Sequence, residues 1–363
     1  MTNPIPEINV TSEIIKIKNE NPLIRDVNCL IGCFEDYETI NEPVFCKTLT
    51  EAEAIFGDDT QYDGNAALKQ IFRDDDISGC LIVNCTSVTG SGDNININRN
   101  LTQTKIEAAF DLIEFIDFDL LFVATELTDS IIETIDEFRS KRFKAKRPFG
   151  WVGVGTRNSE ALYETTSGKL GDGCRAFLTQ PLGVKGEELS LLESGAYIAH
   201  VISTLPVGNS LTAKELPDVT SLGTSYTFAT ADDGTPIDLG AKLVGWGFFV
   251  VRLIDALNNT YEVVNSANPN GLDLYIGRVT DYIVNDFALR QFLGDKNLKV
   301  THDLIKMECN SLYSKFCKRL ELAETIKYTV EKLDAKTVNV KLVELVFADV
   351  ITKINLSINI KVE

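Results

Sequence analysis

The chain has 363 residues, 44% of them hydrophobic, which is enough apolar material for the cores of two or three domains. Its 53 acidic side chains outnumber the 35 basic ones and give a net charge of −18, which argues against a nucleic-acid-binding protein or one that binds an anionic membrane. The N-terminus, MTNPIPEINV, lacks the basic and apolar regions of a signal peptide. We therefore expect a protein that stays in the cytoplasm unless it is released.

Residues 1–22 are predicted to form an extended N-terminal arm. Pro4, Pro6 and Pro22 prevent a continuous helix, and Ile15 and Ile17 show the period of two that is typical of a strand. A strand of this kind needs a sheet to join.

Residues 23–268 are predicted to form an α/β core domain. Strands are expected at 23–34, 42–45, 80–85, 119–124, 149–154 and 174–178, and helices at 50–57, 66–72, 103–116, 129–143 and 187–203. Thr50 and Gly57 are the expected caps of the first helix. This alternation favours a sandwich in which helices cover both faces of an inner sheet. The apolar run 243–257 is shorter than the ~20 residues of a membrane helix and predicts buried core.

A domain boundary is expected near 265–270, followed by an α+β domain over 269–349. Thr280 is the predicted cap of a helix that closes before Gly294, and Thr301 is the predicted cap of a longer helix that reaches Leu320. Two strands, one around Ile326 and one around 338–342, complete this domain.

Residues 350–363 are predicted to form a C-terminal β arm. Five apolar residues alternate with polar ones and share one face of a strand: Ile354, Leu356, Ile358, Ile360 and Val362. Burying these side chains contributes roughly 7 to 15 kcal/mol, whereas ordering ten residues costs roughly 10 to 20 kcal/mol. The arm therefore needs a sheet, which can belong to its own chain or to a neighbouring one.

No catalytic, cofactor or metal site is predicted. The glycine-rich stretch GWVGVGTRN lacks the GxGxxG pattern, and GxxxxGK[ST] does not occur in the chain. The two histidines have no nucleophile pattern beside them, and His200 is expected to be a hydrogen-bonded interior residue. The eight cysteines form no CxxC pair, so we expect buried, reduced thiols.

Six basic residues cluster in nine positions of this acidic chain: Arg139, Lys141, Arg142, Lys144, Lys146 and Arg147. Three interpretations remain open. The cluster can be a nucleic-acid patch, a solvated C-terminal end of a helix, or a basic surface that faces an acidic one on the next copy of the chain.

Three segments, in this order, resemble the sheath proteins of contractile phage tails and phage-tail-like particles. LIGCFEDYETINEPVFCKTLTEAEAIFG (30–57) is similar to the family's strand, Pro-Val link and helix ending in Phe-Gly. SGAYIAHVISTLPVGNSLTAKELPDV (194–219) is similar to its small-residue helix and the segment after it, and LDLYIGRVTDYI (272–283) to the start of its C-terminal domain. The N-terminus departs from the family, because the Pro-Gly-Val-Tyr strand of many members is missing.

The resemblance implies a non-enzymatic subunit of a helical sleeve around an inner tube. Such subunits polymerise with each other, contact the tube, baseplate and tail terminator proteins, extend a neighbour's sheet with their arms, and contract when subunits rotate. They are assembled in the bacterial cytoplasm and belong to a virion tail or a released particle, and neither membrane insertion nor nucleic-acid binding is expected. Candidate tube-facing residues on the helix after Thr301 are Lys306, Lys315, Lys318 and Arg319.

Two alternatives differ from a sheath in what they predict. An α/β enzyme with a β-rich accessory domain predicts a pocket with converging titratable groups. A non-contractile filament or shell protein predicts a polymer with a single lattice state.

Overall fold

The computed structural model describes residues 26–37, 39–75, 77–90, 95–145, 147–285, 299–319, 325–332 and 338–346. Both predicted arms, 1–22 and 350–363, lie outside the described residues. Their strand-forming residues, from Ile15 and Ile17 to Ile354–Val362, therefore stay predictions.

A six-stranded sheet organises the core. Its strands are β1 (Asn28–Gly32), β2 (Pro43–Cys46), β3 (Cys80–Asn84), β6 (Leu120–Val123), β7 (Gly150–Val154) and β8 (Cys174–Leu178). Their spatial order is β2-β3-β1-β6-β7-β8, and all neighbours are parallel except the edge strand β2, which runs antiparallel to β3.

Smaller sheets surround this one. Three of them are two-stranded: β4 (Ser87–Thr89) with β5 (Asn96–Asn98), β12 (Val250–Asp255) with β13 (Thr260–Asn265), and β14 (Thr325–Lys332) with β15 (Val338–Val346). The fourth is three-stranded, with β9 (Leu182–Val184) between β10 (Glu187–Glu188) and β11 (Val219–Leu222).

The α-helices of the described residues are α1 (Leu49–Phe56), α2 (Asp63–Ile71), α3 (Gln103–Ile113), α4 (Asp129–Lys144), α5 (Glu160–Ser167), α6 (Leu191–Thr204), α7 (Leu239–Gly245), α8 (Leu274–Asn285) and α9 (Lys299–Tyr313). A π-helical segment, Ser314–Arg319, continues α9.

Two apolar clusters lie on opposite faces of the large sheet, because successive strand residues point to opposite sides. In β1, Leu30 joins the cluster that α1, α2 and α6 cover, whereas Cys29 and Ile31 join the cluster under α3 and α4. β6 follows the same rule with Phe122 and Leu121. The predicted sandwich with a sheet covered on both faces is confirmed.

Several predicted helix ends need correction. Thr48, not Thr50, caps α1, because its hydroxyl oxygen accepts from the Glu51 amide at 3.2 Å.

Thr280 does not cap a helix, because it lies inside α8 and donates to the Ile276 carbonyl at 2.8 Å. Helix α8 begins after Asp273, whose carboxylate accepts from the Tyr275 amide. Thr301 is likewise inside α9. Gly57 ends α1 as predicted, with a φ of 83° that favours glycine.

The prediction of buried core over 243–257 is only partly right. Leu243 and Phe248–Val251 are buried, but Leu253 and Ile254 are 44% and 45% exposed and Leu257 is 95% exposed. These three side chains belong to β12 and to the turn of the hairpin that it forms with β13, a two-stranded sheet separate from the large one. Helix α5, with the eight residues EALYETTS, was not predicted.

Candidate assembly surfaces

The β14–β15 ribbon is the first candidate surface. Its strands pair antiparallel from Thr325–Val346 to Lys332–Val338. Ile326 is buried on the side that packs under α9, where Ile305 and Cys309 are also buried. Among the described residues no third strand pairs with this ribbon. An isolated two-stranded ribbon is marginally stable in water, and the addition of a further strand is one way in which such a ribbon is stabilised.

The outer face of α9 is the second candidate surface. Lys306 is exposed here, and the apolar side chains of Leu304 and Met307 are 46% and 66% exposed on the same helix. In the π-helical segment that follows, Lys318 is exposed and its Nζ lies 5.7 Å from the ring centre of Tyr313.

The other two predicted tube-facing residues differ from these. Lys315 is half-buried, with its Nζ 5.5 Å from the ring centre of Tyr282 on α8, which is a cation–π distance. The side chain of Arg319 lies outside the described part of the chain. Lys306 and Lys318 are therefore the better-placed cations for a contact.

A cluster of buried ion pairs fixes α8 to the core, and we call it the Arg–Asp joint. Its members are Asp26, Asp119, Arg139, Arg175, Arg278 and Asp281. They come from the start of the described chain, the start of β6, helix α4, strand β8 and helix α8. The joint thus connects the root of the N-terminal segment, the core sheet and the first helix of the C-terminal region.

One half of the joint is centred on Arg278. Its Nε donates to Asp26 Oδ2 at 2.9 Å, and its two Nη atoms donate to the carbonyls of Leu205 and Pro206 at 2.8 and 3.2 Å. Arg278 is only 4% exposed and Asp26 7%. A buried charge that is paired and hydrogen-bonded in this way is strongly destabilising to disrupt on one side only.

The other half of the joint is centred on Asp281, which follows Arg278 by three residues on the same face of α8. Its carboxylate accepts from Arg175 and, at 3.4 Å, from Arg139.

Arg175 runs across Gly150 and Gly277, where a Cβ atom on either glycine would collide with the guanidinium or its stem. The two glycines therefore make room for the arginine between sheet and helix.

Asp119 lines the same cavity as both halves of the joint, the one centred on Arg278 and the one centred on Asp281. Its Oδ2 accepts from the Val27 amide at 2.9 Å, and it lines a cavity of about 60 Å³ together with Asp26, Arg175, Arg278, Asp281 and Tyr282. Burial and the neighbouring Asp26 raise the pKa of Asp119 to about 7, although the Val27 amide and Arg278 act in the opposite direction. This aspartate therefore titrates close to neutral pH.

The N-terminus of α8 is held separately by a hydroxyl cluster. The buried carboxylate of Asp273 accepts from Thr212 at 2.7 Å, from Ser210 at 2.8 Å and from Ser266 at 3.1 Å. The loop after α6 and the end of β13 are thereby docked onto the same helix.

The basic cluster of 139–147 is mostly used inside the protein. Arg142 is 1% exposed and donates to the carbonyls of Ile113, Glu114 and Ile116 at the end of α3, at 2.6, 3.1 and 2.8 Å. Its guanidinium also lies 4.2 Å from the ring centre of Phe118. Arg142 thus caps the carboxyl end of another helix, a role that none of the three interpretations anticipated.

The remaining members of the cluster divide between interior and surface. Arg139 belongs to the Arg–Asp joint, and Arg147 pairs with Asp117 at 2.7 Å. Lys141 pairs with Glu114 at 2.8 Å and Lys144 is exposed, so these two of the described members fit the solvated helix end. Lys146 lies outside the described residues.

The predictions of an interior His200 and of buried thiols are confirmed, except at Cys317, which is half-buried. His200 is 7% exposed and its Nδ1 lies 3.0 Å from the Ile71 carbonyl oxygen. All eight cysteines are free, and seven of them are buried. Burial raises the pKa of the Cys46 thiol to about 11 and that of Cys85 to about 12.

Two features are absent from the described residues. None of their helices is long and apolar enough to cross a membrane. In the same residues no group of three or more His, Cys, Asp or Glu side chains is placed to hold a metal ion.

Charged residues within apolar segments of the sequence mark the Arg–Asp joint. Arg175 interrupts the buried strand CRAFL, and Arg278 and Asp281 interrupt an apolar helix at a spacing of three. Charged residues within apolar segments are rarely buried unless they are paired. The sequence did not indicate which charges pair, because the partners lie as far as 252 residues apart.

No protein-family model and no curated protein matches the sequence. Solved structures do match. A sheath tail protein from Desulfitobacterium hafniense is 12% identical and superimposes with a TM-score of 0.65 over 89% of this chain and 95% of its own. The anti-feeding prophage helical sheath in its contracted state is 14% identical, with a TM-score of 0.64 over 99% of both chains.

The sheath of an extracellular contractile injection system, PVC, also in its contracted state, is 14% identical with a TM-score of 0.63 over 99% of this chain and 98% of its own. These likenesses extend across the core and the C-terminal region alike. The chain therefore has the fold of the sheath proteins of contractile tails and injection systems.

Proposed function

We propose that the protein is the structural subunit of a contractile sheath, polymerising as a helical sleeve around an inner tube and contracting to drive the tube through a target envelope. The observation that carries this proposal is the match to two contracted sheaths over nearly the whole length of each chain. The work is mechanical: subunits move from an extended lattice to a more tightly packed one, and the change needs no cofactor. The fold comparison favours this function over the enzyme hypothesis.

The β14–β15 ribbon is the proposed acceptor for the arms of neighbouring subunits. It is a two-stranded sheet in the described residues, and both ends of the chain have the alternation of strands. Strand addition uses backbone hydrogen bonds along the whole segment, so subunits can rotate against each other while their arms remain attached. Residues 1–22 and 350–363 are the arms in this proposal, 23–268 the outer domain and 269–349 the inner domain.

The partners follow from this arrangement. Copies of the same chain form the sleeve, an inner tube protein fills it, and baseplate and terminator proteins close its ends. Assembly in the bacterial cytoplasm, followed by release as part of a virion or a tail-like particle, completes the proposal.

Electron microscopy of the purified protein in negative stain tests the proposed function. We expect hollow tubes with cogwheel cross-sections at high protein concentration. A protein that stays strictly monomeric under the same conditions would reject the proposal, and filaments with one invariant lattice would favour the non-contractile alternative.

The tube contact is proposed to use the exposed cations of α9 and of the segment after it. We expect the double variant Lys306→Glu, Lys318→Glu to bind inner tubes several-fold more weakly, because both side chains are exposed and a charge reversal repels an acidic tube surface. Co-sedimentation of sheath with tubes measures this effect. Lys47→Glu with Lys144→Glu, two exposed reversals on the core domain, is the matched control. Equal binding by both double variants would reject the assignment.

A further inference from the structure

The Arg–Asp joint has an unequal set of charges around its cavity. Three carboxylates face it, from Asp26, Asp119 and Asp281, but only two guanidinium groups do, from Arg175 and Arg278. Arg278 pairs with Asp26, and Arg175 pairs with Asp281. Arg139, the third arginine of the joint, does not line the cavity and also pairs with Asp281, at 3.4 Å. Within the described residues, the carboxylate of Asp119 accepts one hydrogen bond, from the Val27 amide.

We propose that the joint is proton-operated: with a proton on Asp119 it holds α8 against the core sheet, and loss of that proton loosens α8. This inference goes beyond the proposed function, because it concerns a movement within one subunit. It is a property of the folded chain whether or not the chain polymerises.

The groups that face Asp119 explain the direction of the effect. Asp26 on the N-terminal segment and Asp281 on α8 repel an ionised Asp119, and both act to raise its pKa. Arg278 on α8 attracts it, and Arg142 of α4 interacts with it more weakly. An ionised Asp119 therefore competes with Asp26 for Arg278, which is the contact that ties α8 to the root of the N-terminal segment.

The sign of the pH dependence follows from the raised pKa. Asp119 has a pKa of about 7 in the closed joint, against the usual 3.8 when the joint is open and the side chain is hydrated. Asp119 stabilises the closed joint fully below pH 3.8. This stabilisation is lost as the pH rises from 3.8 to about 7. Opening releases a proton between these values, so the opening constant rises about tenfold per pH unit and levels off above about pH 7.

Amide hydrogen exchange of the full-length protein tests the proposal. Peptides from α8 (274–285) are followed between pH 5 and pH 8, with rates corrected for the intrinsic effect of pH, and α6 (191–204) serves as an internal reference. We expect α8 to open about 50-fold more often at pH 7 than at pH 5, with a plateau above pH 7 and a smaller change in α6. An unchanged opening constant of α8 over this range would overturn the proposal.

The variant Asp119→Asn assigns the effect to this residue. An asparagine is uncharged at every pH and its carbonyl oxygen can still accept from the Val27 amide, so we expect α8 to remain closed and independent of pH. Asp111→Asn removes an exposed carboxylate on α3 and should keep the wild-type profile. Persistence of the wild-type slope in Asp119→Asn would contradict the proposal.

A direct titration keeps the proposal testable if Asp119→Asn does not fold. Carboxyl-carbon NMR of the wild-type protein gives the pKa of Asp119, which is assigned through its contact with the Val27 amide. A midpoint near pH 7 supports the proton-operated joint, and a midpoint below pH 5 overturns it.

Discussion

Removal of residues 350–363 is expected to leave a soluble, folded subunit that no longer forms tubes. The named members of both apolar clusters of the large sheet lie between Cys29 and Leu274, so the deletion removes none of them. The lost hydrogen bonds are intermolecular if the arm adds a strand to the ribbon of another subunit. Thermal unfolding should stay close to that of the full-length protein, and electron microscopy should show no polymer.

A pair of matched double variants tests whether tube formation needs the apolar face of the arm, at unchanged arm length. Leu356→Asp with Ile358→Asp places two charges on the apolar face, where burial without a partner costs several kcal/mol per interface and should abolish tubes. Ser357→Asp with Asn359→Asp places the same charges on the opposite face and should preserve them. Unfolding of the truncated chain would show that the strand is intramolecular, and tubes formed by the truncated chain would show that domain surfaces hold the lattice.

Replacement of Arg142 by methionine is expected to destabilise the subunit by about 3 to 5 kcal/mol. Methionine fills much of the space, but the carbonyls of Ile113, Glu114 and Ile116 then lose their donor at the end of α3. Each buried carbonyl left unpaired costs about 1 to 3 kcal/mol. Urea denaturation followed by circular dichroism measures the loss of stability.

Two further variants control for charge and for donor geometry. Lys144→Met removes an exposed charge from the same helix end and should change stability by less than about 0.5 kcal/mol. Arg142→Lys keeps the charge but cannot reach several carbonyls with a planar fork, so an intermediate loss is expected. If Arg142→Met and Lys144→Met were equally stable, the buried cap would have no energetic role.

The sequence predicted the layers of the core well, because burial on both faces of a parallel sheet leaves a strong signal. The strands around Leu30, Ile82 and Phe122 are short, almost wholly apolar and separated by helical patterns. Helix α4 was predicted from Asp129 onward, because Ile131, Ile135 and Phe138 recur on one face of a helix, and all three are buried.

Features that depend on distant partners were not predictable in the same way. Arg142 resembled its exposed neighbours, since the carbonyls that it caps are 26 to 29 residues away. Threonine is common at helix starts, which favours Thr280 as a cap, yet Asp273 caps α8 by accepting from the Tyr275 amide. Three hydroxyl groups from distant parts of the chain hold Asp273 in place. Leu257 shows that an apolar run does not guarantee burial, because a hairpin tip can carry it outward.

The most direct test of the sheath proposal is a helical cryo-EM reconstruction of the polymer at a resolution that separates strands. We expect the β14–β15 ribbon of each subunit to be extended at its edges by strands that trace back to other subunits, one of them carrying Ile354–Val362. A ribbon whose edges are covered by its own chain, or remain bare in the polymer, would contradict this account.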